Sequence, residues 1–198
     1  MSHAIHSGPV EAGSSVRMHD TGPAAHVSTD AGHERRRQRA AIARRLRQRA
    51  PEAVNTLDWD ALDAAPTWLA LPEDELNRFE CQVGAMLCAP SLRLWIDGAR
   101  LNAARTAVGA PFLQALRALP STQILPHNVA PSPRIDHGEQ VAPMLRGCGA
   151  SVLLASMLPG PLRLVVGTAL APATPAQMAG PLAQSLIARV LTLRGNAP

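Results

Sequence analysis

Apolar side chains recur at intervals of three and four along most of the chain from residue 34 onward, the period of helices that bury one face. The clearest run begins at Pro72, where the proline and the carboxylates of Glu73, Asp74 and Glu75 mark a helix N-terminus. Leu76, Phe79, Val83, Met86 and Leu87 then form one continuous stripe, with Cys81 and Cys88 beside it. Gly84, inside that helix, lets a second helix come close. Pro90 is expected to stop the helix and Ser91 to cap the next, in which Leu92, Trp95 and Ile96 point inward and Arg93 outward. Asp97-Gly98 marks a bend, after which Leu101, Ala104 and Val108 resume a helical stripe. Gly109 and Pro111 separate it from a further helix, where Phe112, Leu113, Leu116 and Leu119 share a face that Pro120 closes.

Patterning is weaker on either side of this block. Residues 1–33 have no hydrophobic period and read as a disordered tail. Residues 34–50 hold strong helix formers with Ile42 and Leu46 one turn apart, a basic helix. In the segment 56–72, Leu57, Ala61 and Ala64/Ala65 fall on one face and Trp59 and Leu62 on another, until Pro66 interrupts. Residues 120–139 are a proline-rich polar connection. A strongly apolar helix follows over 141–160, with Met144, Leu145, Cys148, Val152 and Ala155 on one side and Leu154 and Leu158 widening its face. Residues 162–170 fit a helix or a short strand equally, because Leu162, Leu164 and Val166 alternate. Thr174-Pro175 opens a last helix with Leu182, Leu186, Val190 and Leu193 as its stripe and Gly180-Pro181 as a kink. The expected fold is therefore mainly α: one compact domain of short helices over 51–198, with room for one short strand pair, preceded by the tail and the basic helix. Its core is expected from Phe79, Val83, Leu87, Leu92, Trp95, Leu101, Phe112 and Leu116.

Composition agrees with packed helices. Apolar residues make up 46% of the chain, yet there are only three Trp, two Phe and no Tyr, so the core must be built of Leu, Ala and Val. Charge adds an asymmetry that the net +4 conceals. Residues 34–49 carry eight Arg and one Glu, a local +7, while 50–80 carry eight acids and one Arg, a local −7. The two runs can neutralise one another, so the basic helix is expected to face the acidic segment or a partner, with Arg44, Arg45, Arg47 and Arg49, together with Arg93, as the candidate partner surface. It has no aromatic residue for base stacking and only a thin apolar stripe for lipid.

Candidate chemistry is sparse. Five of the seven histidines (His3, His6, His19, His26, His33) lie irregularly spaced in the tail, and Asp136, His137 and Glu139 match no familiar ligand spacing, so no metal is expected. Phosphate-binding glycine loops, nucleophile elbows, zinc-protease and C-x-x-C motifs are missing. The three cysteines sit in apolar stripes where a thiol stays protonated, and are expected to be reduced packing residues without a redox role. No catalytic residue and no cofactor is expected, and no secretory leader or membrane-spanning run stands out.

Residues 71–120, with "VGAML", "SLRLWIDGARL" and "AVGAPFLQAL", and residues 147–172, "GCGASVLLASMLPGPLRLVVGTALAP", resemble the SctK (YscK) family of bacterial type III secretion systems. The resemblance covers about half the chain. It rests on helix stripes and turns, leaves the tail and the basic helix outside, and departs from the family where Arg163 stands in a segment more basic in many relatives. It implies a non-enzymatic cytoplasmic adaptor at the inner membrane's cytoplasmic face, joining the sorting platform's SctQ-type pod protein to the SctD-type inner-membrane ring and needed for protein secretion. Two other readings of the same residues are a basic helical nucleic-acid-binding or regulatory module working through 34–49, and a secreted effector or its chaperone.

Overall fold

A computed structural model describes residues 24–55, 57, 59–125, 135, 137–172 and 178–195. The chain divides into two compact units, Met1–Arg35 and Arg36–Pro198. In the first, the described residues are helical backbone from Ala24 onward. That corrects the tail boundary, since α1 spans Ala24–Arg49 and takes in residues 24–33. Residues 1–23 lie outside the described ones.

The second unit contains the core. After the end of α1 come α2 (Pro51–Val54) and two 3-10 turns, Trp59–Ala64 and Thr67–Ala70. The first ends before Pro66, as its position suggested, and the second is confined by Pro66 and Pro72, which leave too few residues between them for a propagated α-helix. Leu62, Trp68 and Leu69 are their buried side chains.

Helix α3 (Glu73–Leu87) begins after Pro72, in extended geometry at φ −51° and ψ 155°, and carries Glu73, Asp74 and Glu75 in its first turn. Its stripe is buried as expected, but burial goes further, since every residue from Phe79 to Pro90 is inside. The partner that closes its far side is α7 (Val141–Ala155). A Cβ on Gly84 would overlap the Leu145 carbonyl, lying 2.8 Å from its carbon. Reciprocally, a Cβ on Gly149 would stand 2.7 Å from the carbonyl carbon of Glu80. The two helices thus touch backbone to backbone at paired glycines, the closest approach helices allow.

The break after α3 falls at Cys88, and α4 (Ala89–Arg93) takes Pro90 in its first turn, so Ser91 lies inside the helix rather than capping it. Leu92 is buried, whereas Trp95 is only half-buried and Ile96 is 95% exposed. Both corrections have one cause. Helix α4 ends at Arg93, and residues 95–97 belong to no regular element, so the helical period no longer decides which way they face.

Asp97 caps α5 (Gly98–Val108), accepting a 2.9 Å hydrogen bond from the Ala99 amide. Ala104 and Val108 are buried, but Leu101 is half-buried, a second core residue that proves peripheral. Gly109, at φ 91°, turns the chain into α6 (Ala110–Ala118), where Phe112, Leu113 and Leu116 face inward. Helix α8 (Pro161–Leu170) settles the ambiguous stretch as helix, and no strand occurs among the described residues. Leu158 is exposed rather than part of a buried face, because α7 stops at Ala155. Helix α9 (Gly180–Gly195) starts at the Gly-Pro pair instead of kinking there, and Thr174-Pro175 lie outside the described residues. It packs on α3, α6 and α7, with Arg194 over the Phe79 ring at 5.3 Å.

Candidate functional site

The arginines of α1 sort themselves by helix face. Ile42, Ala43, Leu46 and Ala50 bury one side, which carries neighbouring arginines toward the acidic segment. Arg39 pairs with Asp63. Arg45 donates to the carbonyls of Leu69 and Leu71, the exit of the second 3-10 turn, and its Nε lies 3.5 Å from Glu73 Oε2. Arg49 pairs with Glu73, reaches Asn77 Oδ1 at 3.4 Å and lies 3.8 Å from Glu80 Oε1. The guanidinium fork suits Arg45 to two carbonyls at once, a role lysine could not fill. Burial lowers the Arg45 pKa, opposed by Glu73, yet an arginine stays charged.

This sorting revises the proposed partner surface. Arg45 and Arg49 are held within the domain, and Arg93 donates to the Leu119 carbonyl at 3.0 Å, tying α4 to the end of α6. Arg44 and Arg47 remain exposed, and with Arg36 and Gln48 they edge a shallow groove of about 550 Å³ along the outer side of α1.

Glu80 is the residue whose importance the sequence concealed. It stands on α3 just past the acidic first turn and reads as one more surface acid, yet it is 2% exposed. Its backbone carbonyl meets Gly149, and its side chain sits between Arg49 of α1, 3.8 Å away, and Arg146 of α7, 3.9 Å away. Neither distance is a hydrogen bond, and Glu80 Oε1 has no hydrogen-bond donor among the described residues. Burial therefore dominates and pushes its carboxyl up to about 7, against the pull of Arg49 and Arg146. Gln82, also buried, donates from Nε2 to the Val108 carbonyl at 2.9 Å and so joins α3 to α5.

The thiols lie in packing positions. Cys81 points to the Ala142 carbonyl at 3.8 Å, and burial raises its pKa. Cys88 donates its S–H to Cys148 at 3.9 Å, and Cys148 touches the Met144 thioether at 3.8 Å. The shared proton raises the Cys88 pKa and lowers that of Cys148. No group of three or more His, Cys, Asp or Glu placed to hold a metal occurs among the described residues. His33, His137 and Glu139 are exposed; Asp136 and His127 lie outside the described residues, as do His3, His6 and His19 and the side chain of His26.

A concavity lies where α7 turns into α8. Ser151, Leu154, Ala155, Arg163, Gly167 and Thr168 contribute to a mainly apolar groove of about 750 Å³. Leu164 on its wall is 75% exposed, and Leu158 in the turn beside it is 85% exposed. Arg163 is partly held by a 3.2 Å hydrogen bond to the Met157 carbonyl. The sequence pattern misses this surface because Leu158 and Leu164 extend apolar stripes that the turn between them cuts.

No family model, no curated protein and no solved structure matches this chain. Among the described residues no helix is long and apolar enough to cross a membrane.

Proposed function

We propose that this chain is a non-enzymatic adaptor of a bacterial type III secretion system, working in the cytoplasm at the inner membrane and joining a SctQ-type pod protein to a SctD-type ring protein. The observation that carries this reading is the resemblance of residues 71–120 and 147–172 to the SctK family. Those stretches include α3 to α6 and the α7–α8 corner, so the resemblance rests on the segments that build the core. The exposed Leu158 and Leu164 beside the α7–α8 groove also favour a protein-binding role, since apolar side chains gathered at a concavity are commonly covered by a partner. A fluorescently tagged copy is expected to form foci at the cell envelope that vanish when either ring or pod protein is deleted. Loss of the protein should abolish secretion while the membrane rings still assemble. Foci that persist without the secretion apparatus would exclude the adaptor role.

A second reading has its own observation, the outward arginines along α1. If these bind phosphates, affinity for DNA or RNA must fall steeply with salt, at a slope set by the number of phosphates neutralised. Binding that is absent at physiological salt would remove it.

A further inference from the structure

Cys81 lies at the α3–α7 contact beside the Ala142 carbonyl and the Arg146 guanidinium, with no second thiol against it. The other two thiols stand differently. Cys88 follows the last residue of α3 and Cys148 lies on α7, sixty residues apart in sequence, with their Sγ atoms 3.9 Å apart. Cys88 is enclosed, whereas Cys148 is partly buried at the edge of the core. They flank the glycine crossing, Cys88 one turn beyond Gly84 and Cys148 next to Gly149, where the two backbones are already locked together. Two thiols on separate elements, one reachable from solvent and the other behind it, are the arrangement of an attacking and a resolving cysteine.

We propose that Cys88 and Cys148 are a redox-responsive dithiol that a hydroperoxide closes to a disulfide, pinning the C-terminal end of α3 to α7. The proposal does not depend on the adaptor reading. Cys148, more exposed and with its thiolate favoured by the Cys88 S–H, attacks the peroxide oxygen. The O–O bond breaks, the proton from Cys148 goes to the departing alkoxide, and Cys148 becomes a sulfenic acid. The Cys88 sulfur then attacks the Cys148 sulfur. The S–O bond breaks, and hydroxide leaves as water with the Cys88 proton. Dithiol and hydroperoxide thus give disulfide, alcohol and water. The sulfurs must close from 3.9 Å to about 2.05 Å. Cys88 occupies the turn between α3 and α4 rather than a helix interior, so that movement falls at the junction of two helices.

The test is hydrogen peroxide titration of the full-length chain, with thiol counting and peptide mapping under non-reducing conditions. Free thiols should fall from three to one, Cys81 being the survivor, with a Cys88–Cys148 cross-linked peptide 2 Da lighter and restored by dithiothreitol. The Cys88→Ala variant should accumulate a sulfenic acid at Cys148 that a dimedone probe traps, and Cys148→Ala should lose no thiol under the same conditions. Should these variants fold poorly, the wild-type chain still decides the matter: it should bind one equivalent of a bridging trivalent arsenical and lose it after peroxide treatment. Oxidation of Cys148 to sulfinic acid with Cys88 left as a thiol, or loss of Cys81 before the pair, would overturn the proposal.

Discussion

At the α3–α7 crossing two helices meet backbone to backbone, whereas α1, which packs Ile42, Ala43, Leu46 and Ala50 into the core, is tied to the acidic segment through arginine side chains. Gly84 and Gly149 leave no space for even one methyl group, and each sits against a carbonyl that cannot yield without moving a helix. Arg39, Arg45 and Arg49 make their contacts at the ends of flexible side chains, to Asp63, to Glu73 and to two partly buried carbonyl groups of a turn. The first contact is fixed by shape and indifferent to salt. The second is electrostatic, adjustable and open to screening. Glu80 belongs to both, its backbone in the crossing and its carboxyl between the arginines of α1 and α7.

The sharpest way to break the comparison is to add one methyl group. Gly84→Ala and Gly149→Ala each place an atom inside a backbone carbonyl, so each should destabilise by more than about 4 kcal/mol despite the better helix propensity of alanine. Given a typical domain stability of about 5–15 kcal/mol, either variant should be insoluble or largely unfolded by circular dichroism. A cooperative melt within a few degrees of wild type would mean that the helices can slide apart and that the crossing is no tighter than ordinary packing.

How much of this was legible beforehand follows from the same contrast. Gly84 was readable as a place of close approach, because a glycine within a strong apolar stripe has few other uses. Its partner Gly149 was not, since Gly147 and Gly149 flank Cys148 and only the crossing geometry selects between them. The facing of α1 toward the acidic segment followed from the adjoining +7 and −7 runs, but which arginines turn inward depends on the register of the buried Ile42 and Leu46 against it. Core residues inside continuous helices, such as Phe79, Val83 and Leu116, were placed by period alone. Trp95, Ile96 and Leu158 were misplaced because each lies beyond a helix end, where the period stops. Glu80 was illegible as a buried acid, since its burial comes from elements distant in sequence.

Glu80 allows the shape-fixed and charge-fixed halves to be separated by pH. Its carboxyl is raised from 4.5 to about 7 by burial, so the folded state holds a proton that the unfolded chain has already lost. This contribution to stability is fully present below pH 4.5 and is lost as pH rises through about 7. Its size is about 3 kcal/mol. Glu80→Gln keeps the shape and removes the titration. Relative to wild type it should be nearly neutral at pH 4 and more stable by up to about 3 kcal/mol at pH 8, measured by urea unfolding at each pH. If the variant is instead weaker at pH 8, the ion pairs with Arg49 and Arg146 outweigh the burial of the charge, and the crossing is electrostatic too.

A smaller effect is expected from the inner face of α1. Arg45→Gln removes both hydrogen bonds to the Leu69 and Leu71 carbonyls and should cost about 1–3 kcal/mol, because a charged donor is lost from partly buried acceptors. The loss should shrink on adding salt only in the share due to Glu73, since the hydrogen bonds to the carbonyls are short-ranged. Equal loss at all salt concentrations would assign the contact entirely to hydrogen bonding.

The smallest effect should come from the outer face, where the distinction between the two sides of α1 is most easily refuted. Arg36 and Arg44 are exposed and edge the groove along α1, which Arg39 and Ala43 also line. Glutamine has nearly the helix propensity of arginine, so Arg36→Gln with Arg44→Gln changes charge and little else. The net charge falls from +4 by two, to +2, without touching Arg39, Arg45 or Arg49. Unfolding free energy should stay within about 0.5 kcal/mol of wild type, with an unchanged dependence on urea. A slight gain is compatible, because the basic run of α1 repels itself along the helix. A loss of more than about 1 kcal/mol would show that these arginines also hold the fold, and that α1 has no outer face left to offer a partner.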